Sequence, residues 1–365
     1  MSKSRIYLSP PYTDSSDLDA ITEAIKSGWI APVGPQLNQF EQQLTSQFGF
    51  SNVLGVTSGT SALHIAIRLA GIQQGDQVLV GTFTFIAVAN ALLYEKAVPV
   101  FIDSDQDNWN LCPELLRDYL ASHKKPKAVI ATHIFGIPAR IDEIKAICAE
   151  YQVILIEDAA EALGSRYQDM ALGSFGEYAA LSFNGNKIIT TSGGGALICQ
   201  ENGCHQRALF VATQARDDAD HFSHSEMGFN YRMSNLLAGL GLGQLSKFDW
   251  ILQRKFEIHH AYRQKLENAG VKFYEESSEQ YFNHWITPII MDGIHPSEAL
   301  LKFQEQNIEV RRFWKPLHLQ PLCSQFDSIE GEVASDLFDT GICLPGGVGM
   351  TEEDIERVCS VLLSL

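Results

Sequence analysis

Short runs of apolar residues alternate with amphipathic stretches along the first 200 positions of the chain. The apolar runs are bounded by Gly, Pro, Asp or Asn and predict seven strands, at 53–56, 77–81, 98–103, 127–135, 153–158, 178–183 and 195–199. Between the first five strands lie segments with helical spacing, at 60–71, 84–95, 112–122 and 140–151. Such alternation indicates an α/β fold with a mostly parallel seven-stranded sheet that is covered on both faces. The last two strands follow each other closely, which suggests an antiparallel insertion.

The pattern changes after about residue 233. Apolar side chains then recur at 245, 248, 252, 256, 262 and 266, the spacing of a long helix that ends near Gly270. Beyond it, β-like pieces and a helix that begins at Pro296 predict a smaller α+β unit. We therefore expect a large domain over 1–244 and a small C-terminal domain over 245–365 that includes the long connecting helix.

Charge and composition exclude several classes of partner. The chain has 27 Lys and Arg against 44 Asp and Glu, a formal net charge of −17, so nucleic acid and anionic lipid are not expected to bind. The N-terminus has no apolar signal core, and the seven cysteines form no CxxC pair. We expect a soluble cytoplasmic protein with reduced thiols.

The segment VTSGTSALHIAI (56–67) predicts an anion site where a strand leads into a helix. Gly59 lets the backbone approach a ligand closely, and the first N–H groups of the helix are unpaired at its positive end. The segment has neither the GK[ST] of a Walker A loop nor the GxGxxG of a dinucleotide-binding loop, so ATP and NAD are less favoured as its ligands. An ordinary Ser/Thr helix cap is the alternative.

Two charged residues stand where apolar strands end. Asp158 ends the run VILIED, and ligands of open α/β sheets bind beyond the carboxyl ends of such strands. Lys187 lies in LSFNGNKIITTSGGG, between an apolar run and three glycines. The alternatives are a helix-capping Asp and a lysine that reaches into solvent.

Together, a phosphate cup, a buried acid and a lysine fit pyridoxal 5′-phosphate (PLP). Its phosphate needs N–H groups and hydroxyls, its ring nitrogen needs a carboxylate, and its aldehyde needs an amine for a Schiff base. Phe85, in TFTFIA, is a candidate to lie flat on the ring, with a core aromatic as the alternative.

The sequence resembles the PLP-dependent nucleotide-sugar aminotransferases of the DegT family, which have fold type I. The matching segments span about 25 to 347 and are GWIAPVGPQLNQFE, TSGTSALHIAI, TFTFIAVANAL, IEDAAEALGS, SFNGNKIITTSGGG, GFNYRMSN and ICLPGG. The resemblance implies that Lys187 forms the Schiff base and that Asp158 pairs with the ring nitrogen. It implies further cofactor contacts at Gly59, Thr60, Phe85, Ser182 and Asn184, and at Asn230 from the neighbouring subunit of a homodimer.

One position departs from the common family pattern. Many members have glutamine or histidine where this chain has Glu161, near the phenolic oxygen of the cofactor. An ionised Glu161 there would face an anionic oxygen, so we expect this side chain to be either protonated or turned aside.

The resemblance also implies substrates. The segments RRFWKPLH (311–318), NHW (283–285) and TQARD (213–217) look most like those of enzymes that make UDP-4-amino-4,6-dideoxy-N-acetylglucosamine, the bacillosamine precursor. The resemblance implies transfer of the amino group of L-glutamate to a UDP-linked 4-keto-6-deoxy sugar, with pyridoxamine 5′-phosphate as the intermediate form. Candidate substrate contacts are Trp29, Arg311, Arg312, Trp314, Lys315 and His318; interdomain packing and surface ion pairs are the alternatives for these.

Other functions remain open at the level of the sequence. A GDP-perosamine synthase-like enzyme is the nearest competitor. A sugar dehydratase of the same fold has histidine at the lysine position, so Lys187 argues against it. A non-catalytic sensor or scaffold of this fold, or an unrelated α/β protein with a solvated lysine, would not convert a bound cofactor with glutamate.

Overall fold

The computed structural model describes residues 4–365 except 202, 268 and 330. Over these residues the α-helices are α1 (Ser15–Ser27), α2 (Pro35–Phe48), α3 (Gly59–Leu69), α4 (Ala87–Tyr94), α5 (Pro113–Ser122), α6 (Ile141–Tyr151), α7 (Cys204–Ala212), α8 (Asn235–Leu245), α9 (Phe248–Leu266), α10 (Pro296–Glu305), α11 (Val333–Thr340) and α12 (Glu352–Leu362). Each helix in the described part of the chain is too short or too polar to span a bilayer.

The strands over the same residues are β1 (Asn52–Val56), β2 (Gln77–Gly81), β3 (Val98–Ile102), β4 (Ala128–Thr132), β5 (Ile154–Asp158), β6 (Arg166–Tyr167), β7 (Met170–Ala171), β8 (Tyr178–Ser182), β9 (Gly195–Cys199), β10 (Val271–Phe273), β11 (Gln280–Tyr281), β12 (Thr287–Met291), β13 (Arg311–Arg312), β14 (Ser328–Ile329) and β15 (Gly341–Leu344). Short 3-10 turns cover Ile134–Gly136 and Leu317–Leu319.

The large sheet contains all seven predicted strands, in the order β1-β9-β8-β5-β4-β2-β3-β14. Strand β9 runs antiparallel to both of its neighbours, β1 and β8, and the remaining pairs are parallel. The predicted mostly parallel α/β sheet and its antiparallel insertion are therefore confirmed. The two-residue strand β14 adds an eighth member from the C-terminal part of the chain.

Both faces of this sheet are buried. Leu79 of β2 packs into one apolar cluster, whereas its neighbours Val78 and Val80 pack into another. Successive side chains of a strand point to opposite faces, so a strand covered on both sides must be apolar throughout. This explains why the strands are continuous Val, Ile and Leu runs rather than alternating ones.

The C-terminal part forms a second, antiparallel sheet in the order β10-β12-β15-β13. Its apolar cluster includes Ile258 and Tyr262 of α9 together with Ile289 and Ile342. Several pairings connect this region with the rest of the chain: β14 pairs with β3, β11 pairs with β6, and Ile6 bridges to Ile308. The division at 244/245 stays a prediction.

Two predicted elements have different limits. The strand predicted at 127–135 ends at Thr132, because the chain leaves the sheet through a turn at Ile134–Gly136 in which Phe135 has a φ of 56°. The helix predicted from residue 84 begins at Ala87. Thr132 is therefore the last residue of β4, and Thr84 precedes α4. Both lie at the carboxyl edge of the sheet, where the candidate site is found.

Candidate active site

A cleft of about 410 Å³ lies at the carboxyl ends of the parallel strands. Chain segments that follow β1, β2, β4, β5 and β8 converge there, as expected for an open α/β sheet. Most of the cofactor contacts predicted from the sequence line it: Gly59, Thr60, Phe85, Asp158, Glu161, Ser182, Asn184 and Lys187. The size is in the range of small-molecule sites, which run from about 300 to 1,000 Å³.

The N-terminus of α3 forms one end of the cleft. Ser58 caps the helix, since its hydroxyl accepts a hydrogen bond from the backbone N–H of Ser61 at 3.0 Å. Thr57 and Ser58 each place a hydroxyl 2.9 Å from the Ser61 hydroxyl. The helix cap and the anion cup are thus the same structure, with hydroxyls and the positive end of a helix dipole together.

Two glycines let the backbone pack closely around this cup. A Cβ at Gly195 would lie 2.6 Å from the backbone nitrogen of Gly59 and 2.5 Å from the carbonyl carbon of Ser58. A Cβ at Gly59 would lie 3.0 Å from the Cβ of Ser182. Side chains at these positions would push β9 and β8 away from the cup, so Gly195, the last glycine of the GGG sequence, allows the close packing at this end of the cleft.

Asp158 is the last residue of β5 and is buried. Its Oδ1 accepts a hydrogen bond from the backbone N–H of Ala160 at 3.2 Å. Burial raises the pKa of this carboxyl from 3.8 to about 6, although the hydrogen bond from Ala160 opposes the shift. Among the described residues its carboxylate takes part in no ion pair. A buried acid of this kind is stabilised as a carboxylate by a cationic N–H from a ligand.

Lys187 reaches the cleft and is held from two sides. Its Nζ lies 3.1 Å from Oε1 of Glu161 and 4.3 Å from the centre of the Trp285 ring, with 13% of the side chain exposed. The indole Nε1 of Trp285 donates a hydrogen bond to the carbonyl of Asn186 at 2.5 Å. The amine is therefore fixed between a carboxylate and an aromatic face rather than extended into solvent.

The side chain of Asn283 connects the backbone at Glu161 with the backbone at Trp285. Its side-chain amide donates to the carbonyls of Glu161 and Leu163, at 2.8 and 3.1 Å, and its Oδ1 accepts from the backbone N–H of Trp285 at 3.0 Å. One buried side chain thus ties the two groups that flank Lys187 to each other.

The predicted substrate contacts do not all lie together. Trp314 lines the cleft, and Arg311 lines a neighbouring cavity. Arg312 instead donates to the carbonyl of Phe338 and to Asp339. His318 is bonded to the hydroxyl of Thr82 at 2.7 Å, and neither it nor Lys315 lines the cleft.

Trp29 and Asn230 lie outside the cleft of their own chain. Both are exposed, and Asn230 forms a β-bridge with Thr213. The expected contact of Asn230 with the cofactor of a neighbouring subunit therefore stays a prediction.

Sequence reasoning missed three features of the site: the contact of Trp285 with the lysine, the Asn186 carbonyl and the amide of Asn283. Asn186 lies inside the SFNGNK segment and was within reach of that reasoning. Trp285 and Asn283 stand about 100 positions after Lys187, and no local pattern connects them with it.

Residues 11–363 match the DegT/DnrJ/EryC1/StrS aminotransferase family. The chain belongs to this family. It is 47% identical over 371 residues to a Bacillus subtilis (strain 168) protein named "Putative pyridoxal phosphate-dependent aminotransferase EpsN", covering 99% of this chain and 96% of that one. It is 31% identical over 350 residues to GDP-perosamine synthase from Escherichia coli O157:H7, covering 96% and 95%.

The fold is shared with solved structures of this family. Helicobacter pylori PseC, an aminotransferase involved in the biosynthesis of pseudoaminic acid, superposes with a TM-score of 0.92 at 23% identity, over 99% of this chain and 99% of that one. The expected PLP-dependent fold type I is confirmed, and the protein is a sugar aminotransferase of this family.

The residues present also fit the family's cofactor, PLP. The cup offers hydroxyls and the N-terminus of α3 for a phosphate, Asp158 offers a buried carboxylate for a protonated ring nitrogen, and Lys187 offers the amine. All three line a single cleft, and the exposed ring of Phe85 lies at its edge.

Proposed function

We propose that this protein transfers the amino group of L-glutamate to C4 of a nucleotide-linked 4-keto-6-deoxy sugar. The proposed substrate is UDP-2-acetamido-2,6-dideoxy-4-keto-glucose, and the product is UDP-4-amino-4,6-dideoxy-N-acetylglucosamine. The observation that carries the proposal is the position of Lys187, in one cleft with Asp158 and the anion cup. A dehydratase of this fold would need another residue at position 187.

The side chains have separate roles in this proposal. Bound PLP supplies an aldehyde that accepts an amine and a protonated ring that withdraws electrons. Lys187 holds the cofactor, takes a proton from the α-carbon of glutamate once its amine is free, and later returns a proton to C4 of the sugar. The face of the site that Lys187 occupies decides the configuration at C4. Asp158 keeps the ring nitrogen protonated, and Ser182, Thr60 and Gly59 hold the phosphate.

Glu161 restrains the free amine. Both of its oxygens already have donors, because Oε1 is 3.1 Å from Lys187 and Oε2 accepts the backbone N–H of Phe135 at 2.7 Å. Such a carboxylate is turned towards the lysine and the strand end, which supports the expectation that it is turned aside from the phenolic oxygen.

A second candidate is a 4-aminotransferase for a GDP-linked sugar, as in GDP-perosamine synthase. It is supported by the relatives of that name, which match nearly the whole chain. The two candidates share the same site chemistry and differ in the nucleotide.

The active enzyme in this proposal is a homodimer with shared sites. Support comes from the exposed position of Asn230 and from apolar side chains that a lone subunit leaves in water. Trp29, Ile30 and Val33 are each more than half exposed, and Phe222 is 78% exposed. A cytoplasmic location is also part of the proposal, supported by seven cysteines that are all free thiols.

The test is incubation of the purified holoenzyme with L-glutamate and, separately, with UDP-, GDP- and dTDP-linked 4-keto-6-deoxy sugars. We expect L-glutamate to change the visible absorbance spectrum of the bound cofactor. The UDP-linked sugar should then return the spectrum to its starting form. The product's C4 configuration is then read by NMR. Preference for the GDP-linked sugar would favour the second candidate, and no response to glutamate would reject both.

A further inference from the structure

Lys255 is a lysine of α9 that is buried in the interior of the protein. Only 4% of the residue is exposed, and its amine forms no ion pair among the residues that the structure describes. Burial lowers the pKa of this amine from 10.5 to about 7. A buried cation without a counter-charge is costly, and an apolar side chain of similar size would fill the same space at no such cost. Packing alone therefore does not explain a lysine at this position.

The amine of Lys255 joins two backbone segments that are far apart in the sequence. It donates hydrogen bonds to the carbonyl of Trp285 at 2.8 Å and to the carbonyl of Gly346 at 2.7 Å. A Cβ at Gly346 would lie 3.1 Å from the carbonyl oxygen of Trp285, so the two segments are in close contact. Two carbonyl oxygens that converge on one point repel each other, and a cation between them attracts both. Lys255 therefore holds the main chain of Trp285 in place.

The side chain of the same tryptophan contacts the reactive lysine. The Nζ of Lys187 lies 4.3 Å from the centre of the Trp285 ring, and the indole Nε1 donates to the carbonyl of Asn186. Lys187 and Lys255 also line one small cavity of about 10 Å³, so both lysines lie beside Trp285. A shift of the Trp285 main chain would therefore move the aromatic face against which the Lys187 amine rests.

We propose that Lys255 is a positioning residue for the aminotransferase reaction: its amine fixes Trp285, and Trp285 in turn fixes the amine of Lys187. The inference rests on the proposed function, because it takes Lys187 as the residue that transfers protons. Lys255 does not line the cofactor cleft, so it acts through the tryptophan and not by contact with cofactor or substrate.

The competing explanation is that Lys255 only stabilises the fold. The neighbouring Arg254 has such a role, since its guanidinium donates to the carbonyls of Val348 and Met350. The two explanations differ in their dependence on Trp285. If Lys255 acts through Trp285, its effect on the reaction is largely lost once Trp285 is itself changed, whereas independent effects add.

The experiment is a double-mutant cycle with Lys255→Met and Trp285→Phe. Methionine is close to lysine in size and has no N–H donor, and phenylalanine keeps a ring but lacks the indole N–H. Lys265→Met is the matched control, because Lys265 lies on the same helix but pairs with Glu352 at the surface. Lys255→Gln is a second variant, whose amide keeps two N–H donors at this position.

The first readout is the near-UV circular dichroism of the apoprotein, which needs neither cofactor nor substrate. The contribution of Trp285 is the part of the wild-type spectrum that Trp285→Phe removes. Lys255→Met should reduce this contribution, because the main chain of the tryptophan loses its partner, and Lys265→Met should leave it unchanged.

The second readout is the single-turnover reaction of the holoenzyme with L-glutamate. We expect Lys255→Met to lower the rate constant at saturating glutamate about tenfold or more, because a misplaced amine transfers protons slowly. The half-saturating glutamate concentration should stay unchanged, since Lys255 does not line the cleft. In the Trp285→Phe background the same substitution should lower the rate constant less than about twofold. Lys255→Gln should be faster than Lys255→Met, and Lys265→Met should equal the wild type.

Several results would overturn the inference. These are a wild-type spectrum and rate in Lys255→Met, an equal loss in Lys265→Met, the same loss with and without Trp285, or a faster reaction of Lys255→Met than of Lys255→Gln. Failure of the proposed function is distinct from these, because it shows as a wild-type cofactor that glutamate does not convert. The spectrum of the apoprotein tests the link between Lys255 and Trp285 in either case.

Discussion

The Nζ of Lys187 lies 3.1 Å from Oε1 of Glu161. The other oxygen of Glu161 accepts the backbone N–H of Phe135, whose φ of 56° is uncommon for an aromatic residue. One carboxylate therefore fixes both the lysine amine and the turn by which the chain leaves β4.

We expect Glu161→Ala to destabilise the apoprotein more than Glu161→Gln. The Gln variant keeps an oxygen for the N–H of Phe135, whereas the Ala variant leaves that buried donor unpaired, at a cost of about 1–3 kcal/mol. Urea unfolding of the apoprotein measures both. Glu150→Gln, which removes a surface ion pair with Arg117, should cost less than about 1 kcal/mol. Equal stability of the Ala and Gln variants would contradict the role given to Glu161.

Lys187→Ala should abolish turnover without unfolding the protein. Its amine is assigned both the link to the cofactor and the proton transfers, so the rate should fall by about 10⁴-fold or more. The visible absorbance of the lysine-bound cofactor should disappear, while the far-UV circular dichroism stays unchanged. Lys187→Arg is the control: it keeps a cation beside Glu161 but lacks a primary amine, and we expect it to be as inactive. Near-normal transamination by Lys187→Ala would remove the basis of the proposed function.

The apoprotein should lose stability as the pH rises from about 4 to 6, through Asp158. Burial raises the folded-state pKa of this carboxyl from 3.8 to about 6, so over this window the native state holds a proton that the unfolded state has released. Stability falls with pH wherever the native state binds more protons. Raising the pH from 5 to 7.5 should lower the free energy of unfolding by about 1.4 kcal/mol, because about one pH unit lies between pH 5 and the folded-state pKa of about 6.

Asp158→Asn tests this assignment because the amide does not titrate. Urea unfolding gives the free energy of unfolding of wild-type and variant apoprotein. The difference between the two should change by about 1.4 kcal/mol between pH 5 and 7.5. Parallel pH profiles would show that Asp158 is not the group responsible. In the holoenzyme the same variant should slow the glutamate reaction about 10²-fold or more, because an amide cannot hold the ring nitrogen protonated.

The sheet and the strand-end residues could be predicted from the sequence because the physics is local. A strand buried on both faces must be apolar, and strands that run in the same direction bring their carboxyl ends to one edge, so Asp158 and Gly59 are expected at the same edge of the sheet. The two-residue strands β13 and β14 have no such pattern. The different environments of Arg311 and Arg312 depend on the register of β13, which neighbouring strands determine.

The surroundings of Lys187 could not be predicted for a related reason. Trp285 is almost completely buried, and Asn283 completely, and no pattern in the sequence pairs either of them with Lys187. Their contacts with the loops at 161–165 and 186 depend on how the C-terminal part packs against the large sheet. Long-range packing of this kind leaves no periodic pattern along the chain.

Asn283→Ala should destabilise the protein by about 2 kcal/mol or more. The substitution leaves the buried carbonyls of Glu161 and Leu163 and the N–H of Trp285 without their partner. It should also loosen Trp285, which near-UV circular dichroism of the apoprotein detects. Asn52→Ala is the control, since Asn52 also donates to a backbone carbonyl, that of Cys199, but lies at a half-buried position. A loss no larger than that of the control, with an unchanged aromatic spectrum, would show that Asn283 does not position Trp285.

Mixing two inactive variants tests whether Asn230 completes the site of a second chain. Lys187→Ala and Asn230→Ala, co-expressed in equal amounts, should give about a quarter of the wild-type activity. Half of the dimers are then hybrids, and each hybrid has one site with both residues intact. Lys187→Ala with Asp158→Asn is the matched control: both residues line the cleft of the same chain, so every hybrid site keeps one defect and no activity returns. Full activity of Asn230→Ala alone, or no recovery of activity when Lys187→Ala and Asn230→Ala are mixed, would show that the sites are not shared in this way.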